Sequence, residues 1–147
     1  MATAHGSSAA SAVGDPDRTC HAVHPRQPRR RAFAPPGPYS QVARVELPGG
    51  GALLQLSGQI AEGVDLTAQS RDVMETVVAL LAAHGATPDD IVHIRSYLTD
   101  IAQLPQYAAV RREFLTGIPP TSTTVEVSRP FRPEALIEVE VVAVLGG

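Results

Sequence analysis

From Val42 onward, apolar and polar positions change period several times, and each change marks an element. Val42 to Leu47 alternates and predicts a strand. Pro48-Gly49-Gly50-Gly51 is a turn, and Ala52 to Ser57 is a second strand, so the two form a hairpin, with Gly58 letting the backbone leave. The period then lengthens. Val73, Val77, Leu80, Leu81 and His84 share one face of a helix that Asp65 or Thr67 can cap and Gly85 can stop. Ile91 to Leu98 is a third strand. A second helix follows Asp100, with Tyr107, Val110 and Phe114 on its buried stripe, and Gly117 to Pro120 ends it. Thr121 to Val127 and Leu136 to Val144 are two more strands, separated by a turn at Pro130 to Pro133. The order is β-β-α-β-α-β-β, an α+β domain over residues 35–147.

Two helices cover only one face of a five- or six-stranded sheet. The uncovered face is expected to be apolar, through Ile137, Val139, Val141 and alternates in the strand at Ile91. Such a face needs a partner, and self-association into a closed ring would bury it.

Residues 1–34 have no apolar period. They are rich in Ala, Ser, Pro, Gly and Arg, and this composition cannot bury enough surface to offset ordering entropy, so disorder is expected. The segment lacks the apolar stretch of a secretory signal. Cys20, His21 and His24 are potential metal ligands without a fourth, and no metal is expected. Arg29-Arg30-Arg31 reads as a solvated basic patch.

Composition narrows the chemistry. No lysine is present; all twelve basic residues are arginine, so a Schiff base on a lysine side chain is excluded. The chain therefore cannot anchor pyridoxal phosphate in the usual way, and no cofactor is expected. A single cysteine forbids intrachain disulfides and thiolate zinc clusters, which fits a cytoplasmic setting. No apolar run approaches a membrane span. Beyond residue 34, seven arginines face thirteen acids, a net −6, which argues against broad binding of nucleic acid.

Several segments, in order, resemble the Rid/YjgF family of imine and enamine deaminases. They are Gly37-Pro38-Tyr39-Ser40-Gln41, Leu56-Ser57-Gly58-Gln59-Ile60, Gly85 with Asp89-Asp90-Ile91-Val92, and Tyr97-Leu98-Thr99-Asp100. Pro120 with Val125-Glu126-Val127, and Ile137-Glu138-Val139-Glu140, complete the set. The resemblance implies a chorismate-mutase-like fold, a homotrimer whose sheets pack into a barrel, and active sites in clefts between subunits. It implies a small imine or enamine substrate, with no metal and no organic cofactor.

Residue by residue, the resemblance makes Glu138 the carboxylate that orients water and Tyr39 the pocket-lining tyrosine, with Ser57 and Gly58 the strand-end pair at the site. The family arginine that clamps a substrate carboxylate falls on Ser122, the pocket cysteine on Thr124, and the helix asparagine on Ala108. Serine for arginine removes a permanent charge and a five-donor fork, so small 2-imino acids are expected to be poor substrates. Ser122 and Thr124 share one strand face and offer neutral hydroxyls, although threonine favours strands in any case. Burial of Glu138 would raise its pKa and suit it to acid–base work. Arg95 replaces the clamp from another direction, makes a structural ion pair or lines the trimer axis, and His93, on the same face, reads as structural.

Three functions compete. The first is acid–base catalysis on a reactive imine-like intermediate: hydrolytic deamination, or tautomerisation, elimination or cyclisation. The second is a non-catalytic trimer that binds a small molecule or a partner enzyme. The third, ribonuclease or translation-inhibitor activity, is attached to the family but poorly served by an acidic body.

Overall fold

The computed structural model describes residues 39–146. The tail 1–34, with its cysteine, histidines and arginine triplet, and the lead-in Pro35–Pro38 lie outside the described residues. Five strands and two helices follow in the expected order: β1 (Val42–Glu46), β2 (Ala52–Gln59), α1 (Leu66–Ala83), β3 (Ile91–Leu98), α2 (Leu104–Phe114), β4 (Thr121–Glu126) and β5 (Ile137–Leu145). The fold is α+β, with two helices on a mixed sheet of order β1-β2-β5-β3-β4. Neighbours are antiparallel except β3 and β4, which run parallel and are joined by α2.

Local chemistry explains the boundaries. Gly49 and Gly50 take φ of 98° and 97°, which the hairpin turn requires and a β-carbon would resist. The Asp65 carboxylate accepts from the Ala68 amide at 2.8 Å, so Asp65, not Thr67, caps α1. Gly85, at φ 77°, ends that helix, and Arg44 Nη1 donates to the His84 carbonyl at 2.9 Å, placing a cation at the helix C-terminus. Asp100 caps a short 3₁₀ turn (Ile101–Gln103) that leads into α2, and Pro105 fits its first turn.

The core lies between the helices and one sheet face. Leu54, Leu56, Ile94, Leu98, Ile137 and Val139 pack there against Val73, Val77, Leu81 and Tyr107, all fully buried. The strand pattern had been expected to leave Ile137, Val139 and Val141 uncovered; instead all three are buried beneath the helices. The opposite face carries Gln55, Ser57, His93, Arg95, Tyr97, Glu138 and Glu140, with apolar Leu53, Val142 and Val144 toward one end. Period-two alternation separates the faces but does not say which one the helices cover. The uncovered face is largely polar, and an apolar surface is no longer the argument for self-association.

Gln69 is a buried polar residue that the helical pattern did not single out. Its amide nitrogen donates to the Gly63 carbonyl at 3.2 Å and the Glu134 carbonyl at 3.0 Å, and its amide oxygen accepts from the Leu136 amide at 2.7 Å. One side chain thus ties α1 to the segment entering β5, two residues before Glu138. Gln69→Leu strands three backbone groups and should cost about 2–4 kcal/mol. Urea unfolding with an unchanged m-value checks this, and a loss below about 1 kcal/mol would show that water replaces the clamp.

Candidate functional site

A bulge in β2 organises the first group of residues. Leu56 stands opposite Val141 and Gln59 opposite Val139, so Ser57 and Gly58 together oppose Glu140. The expected end of the strand at Gly58 is therefore a bulge within it. The Glu138 carboxylate lies over Gly58. A β-carbon at position 58 would overlap Glu138 Oε1 and stand 2.7 Å from its Cδ and 3.0 Å from its Cγ. Gly58 does not have a positive φ, so glycine serves here for space rather than conformation.

Glu138 is half-buried, and among the described residues its carboxylate makes no hydrogen bond. Burial first, and the neighbouring Glu140 charge second, push its pKa above the usual carboxylate range. This is a carboxyl able to hold a proton and free to engage a molecule outside the chain.

The segment before β1 is fastened to the same bulge. The Ser57 hydroxyl donates to the Ser40 carbonyl at 2.7 Å, and the Ser57 amide donates to the Gln41 carbonyl at 2.9 Å. Gln59 Nε2 donates to Gln41 Oε1 and to the Ser57 carbonyl, both at 2.8 Å. Tyr39, half-exposed, enters just ahead of this clasp. Ser57 is thus committed as a donor to the backbone, and only its acceptor capacity remains.

Ser122 and Thr124 sit elsewhere. They pair with Ile94 and Ser96, whose side chains face the helices, so they project to the side opposite Glu138. Strand β3 lies between, and strand geometry separates Ser122 and Glu138 by roughly 14 Å at the backbone. Within one chain these residues do not touch one small molecule. Thr124 is half-buried; Ser122 is exposed and hydrogen-bonded, accepting at 2.8 Å from Nη1 of Arg111 on α2. The Arg111 guanidinium also lies 5.5 Å from the centroid of the Tyr107 ring. Tyr107 is buried, with its hydroxyl 2.7 Å from Ser96 Oγ, and burial pushes its phenol pKa up. Nothing in the local sequence around Ser122 singles out Arg111. Its spacing of four from Tyr107 was the available signal.

Arg95 shares the uncovered face with Glu138 but points to Glu140, 3.7 Å away, whose carboxylate also accepts from the Tyr97 hydroxyl. The structure therefore gives Arg95 an ion-pair partner. Gln55, His93, Arg95, Glu140 and Val142 line a shallow hollow around this pair. His93 Nδ1 lies 2.8 Å from Thr121 Oγ1, which itself donates to the Val92 carbonyl, so the ring nitrogen carries the proton. No group of three His, Cys, Asp or Glu side chains suited to a metal ion occurs among the described residues. No helix among them is long and apolar enough to cross a membrane.

A family model described as Endoribonuclease L-PSP matches residues 29–145. The chain belongs to this family. Its members also carry the names RutC, YjgF and Rid. RutC family protein SSO3206 of Saccharolobus solfataricus is 36% identical over 121 residues, 77% of this chain and 91% of that protein. Protein DfrA of Myxococcus xanthus is 35% identical over 117 residues, covering 74% and 86% respectively. Among solved structures, Rv2704 of Mycobacterium tuberculosis, a YjgF/YER057c/UK114 member, superposes with a TM-score of 0.66 at 31% identity, covering 71% of this chain and 85% of that one. TdcF of E. coli, solved with bound serine, gives 0.64 at 28% identity, covering 74% and 88%.

The raised Glu138 pKa has a signed consequence. A carboxyl that holds its proton more tightly when folded weakens folding as pH climbs past its unfolded value, near 4, and the loss is complete above its folded value. Glu138→Gln removes that penalty. The variant should melt above the wild type at pH 7.5, with the gap closing as pH falls toward 4. Thermal unfolding at both pH values checks it; a variant no more stable at pH 7.5 contradicts the assignment.

Proposed function

We propose that this RutC/YjgF relative catalyses acid–base chemistry on a small imine or enamine, hydrolytic deamination being the simplest form. The observation that carries this reading is the Glu138 carboxyl: half-buried, raised in pKa, and free of hydrogen bonds from the described chain. In the reaction, Glu138 orients a water whose oxygen bonds to the imine carbon. Proton transfer to nitrogen breaks the C–N bond, leaving a carbonyl product and ammonia. Tautomerisation, elimination or cyclisation would use the same proton shuttle. The serine bound to TdcF is consistent with a small-molecule site in this fold.

The reading places the working site between subunits of a homotrimer. Glu138, Gly58 and Tyr39 form one half, and Ser122 with Thr124 the other. They project from opposite faces of one sheet, so a neighbouring subunit is needed to join them. Exposed Ile118 and Phe131 flank edge strand β4 in the chain and are suited to burial in such a contact. Arg111 also changes the substrate argument. With a guanidinium hydrogen-bonded to Ser122, the ground for excluding 2-imino acids is gone.

A non-catalytic trimer that binds a small molecule is the second reading, favoured by a hollow lined by Gln55, His93, Arg95 and Glu140 that does not include Glu138. Nuclease action, which the family description names, meets a domain of net charge −6.

The deciding assay follows ammonia release from 2-aminoacrylate and from neutral imines generated in solution, with and without the protein. Turnover should fall about 100-fold or more in Glu138→Gln. Gly58→Ala should stay folded but lose activity, because the carboxyl swings away from the new β-carbon. Activity unchanged in both variants would support the binding reading.

A further inference from the structure

Seven arginines lie in the described region, and they fall into three groups. Arg44, Arg71, Arg95 and Arg132 each pair with a carboxylate. Arg112 and Arg129 are exposed and make no hydrogen bond or ion pair among the described residues. Arg111 alone is held in place without being neutralised. Its Nη1 donates to Ser122 Oγ at 2.8 Å and its guanidinium faces the Tyr107 ring at 5.5 Å, while no described carboxylate lies within ion-pair distance.

We propose that Arg111, positioned by Ser122, is the group that binds the anionic end of the ligand, and that this anion is a carboxylate. The proposal rests on the small-molecule site described above. It assigns specificity to a helix residue rather than to strand β4. A guanidinium offers five donors, of which one is committed to Ser122. The remainder can grip two oxygens in one plane, as a carboxylate presents them. Because Ser122 accepts from Arg111, its own hydroxyl proton is free to reach the same anion. Tyr107 is buried and tied to Ser96, so the aromatic face under the guanidinium is rigid. Half-burial of Arg111 limits the solvent screening that weakens exposed charges. One guanidinium on an acidic body suits a monoanion better than a phosphate of higher charge.

The test is direct binding to the full chain, with pyruvate, pyruvamide and inorganic phosphate as probes, followed by ligand-observed NMR and calorimetry. Because the readout is binding, a chain lacking deaminase activity can still pass and an active deaminase can still fail. Pyruvate should bind the wild type and weaken about tenfold or more in Arg111→Gln, with Arg111→Lys intermediate. Ser122→Ala should weaken binding several-fold, and Ser122→Thr should restore it. Pyruvamide should bind no better to the wild type than pyruvate binds to Arg111→Gln. Arg112→Gln, one residue along on the exposed face, should match the wild type, and circular dichroism verifies folding of every variant. Pyruvate affinity within twofold of wild type in folded Arg111→Gln would overturn the proposal. So would an equal loss in Arg112→Gln, no pyruvate binding to the wild type, or phosphate binding more tightly than pyruvate.

Discussion

A carboxylate occupies the space where a side chain at position 58 would begin. Gly58 sits in a bulge opposite Glu140, and its missing β-carbon is what lets Glu138 lie across β2. Much of the site depends on that approach. It half-buries the carboxyl and holds it beside the Glu140 charge, and both effects favour its protonated form. The bulge also turns Ser57 toward Ser40, so the clasp that fastens residues 40 and 41 and the seat for Glu138 arise from the same irregularity.

The second constraint is the sheet itself. A residue's parity along a strand decides its face, and β3 and β5 put Glu138 on one side and Ser122 on the other. The helices then treat the faces differently. On the covered side, α2 brings Arg111 over Ser122; on the uncovered side, Arg95 and Tyr97 are taken up by Glu140. The two cations that a sequence reader would weigh as substitutes for a missing clamp thus have different fates. Arg95 is paired, and Arg111 is held but not neutralised.

Much of the fold was legible in the chain because its signals are local. The Gly49-Gly50 turn, the Asp65 cap, the Gly85 stop and the apolar period of α1 are set by neighbours in sequence. Family membership was legible from ordered short segments. What escaped were long-range choices. Alternation in β5 identified two faces but not which one the helices would cover, so Ile137, Val139 and Val141 were placed on the wrong side. Ser122 read as a lost charge because its neighbour in space, Arg111, is eleven residues away in sequence and on a different element. Gln69 looked like one more helical polar residue; only its three partners, as far away as Leu136, make it a clamp.

Under the proposed function, one working site takes Glu138 from one chain and the Ser122–Arg111 half from another. Subunit complementation tests it most directly. Two impaired variants, Glu138→Gln in turnover and Arg111→Gln in substrate binding, are mixed, unfolded and refolded together, and activity at substrate well below saturation is compared with each variant refolded alone. If each site takes its halves from different subunits, random mixing in a closed ring restores about a quarter of the sites. Recovery near that fraction is the predicted result. A mixture no more active than its components, with wild type refolded in parallel regaining full activity, would contradict the account.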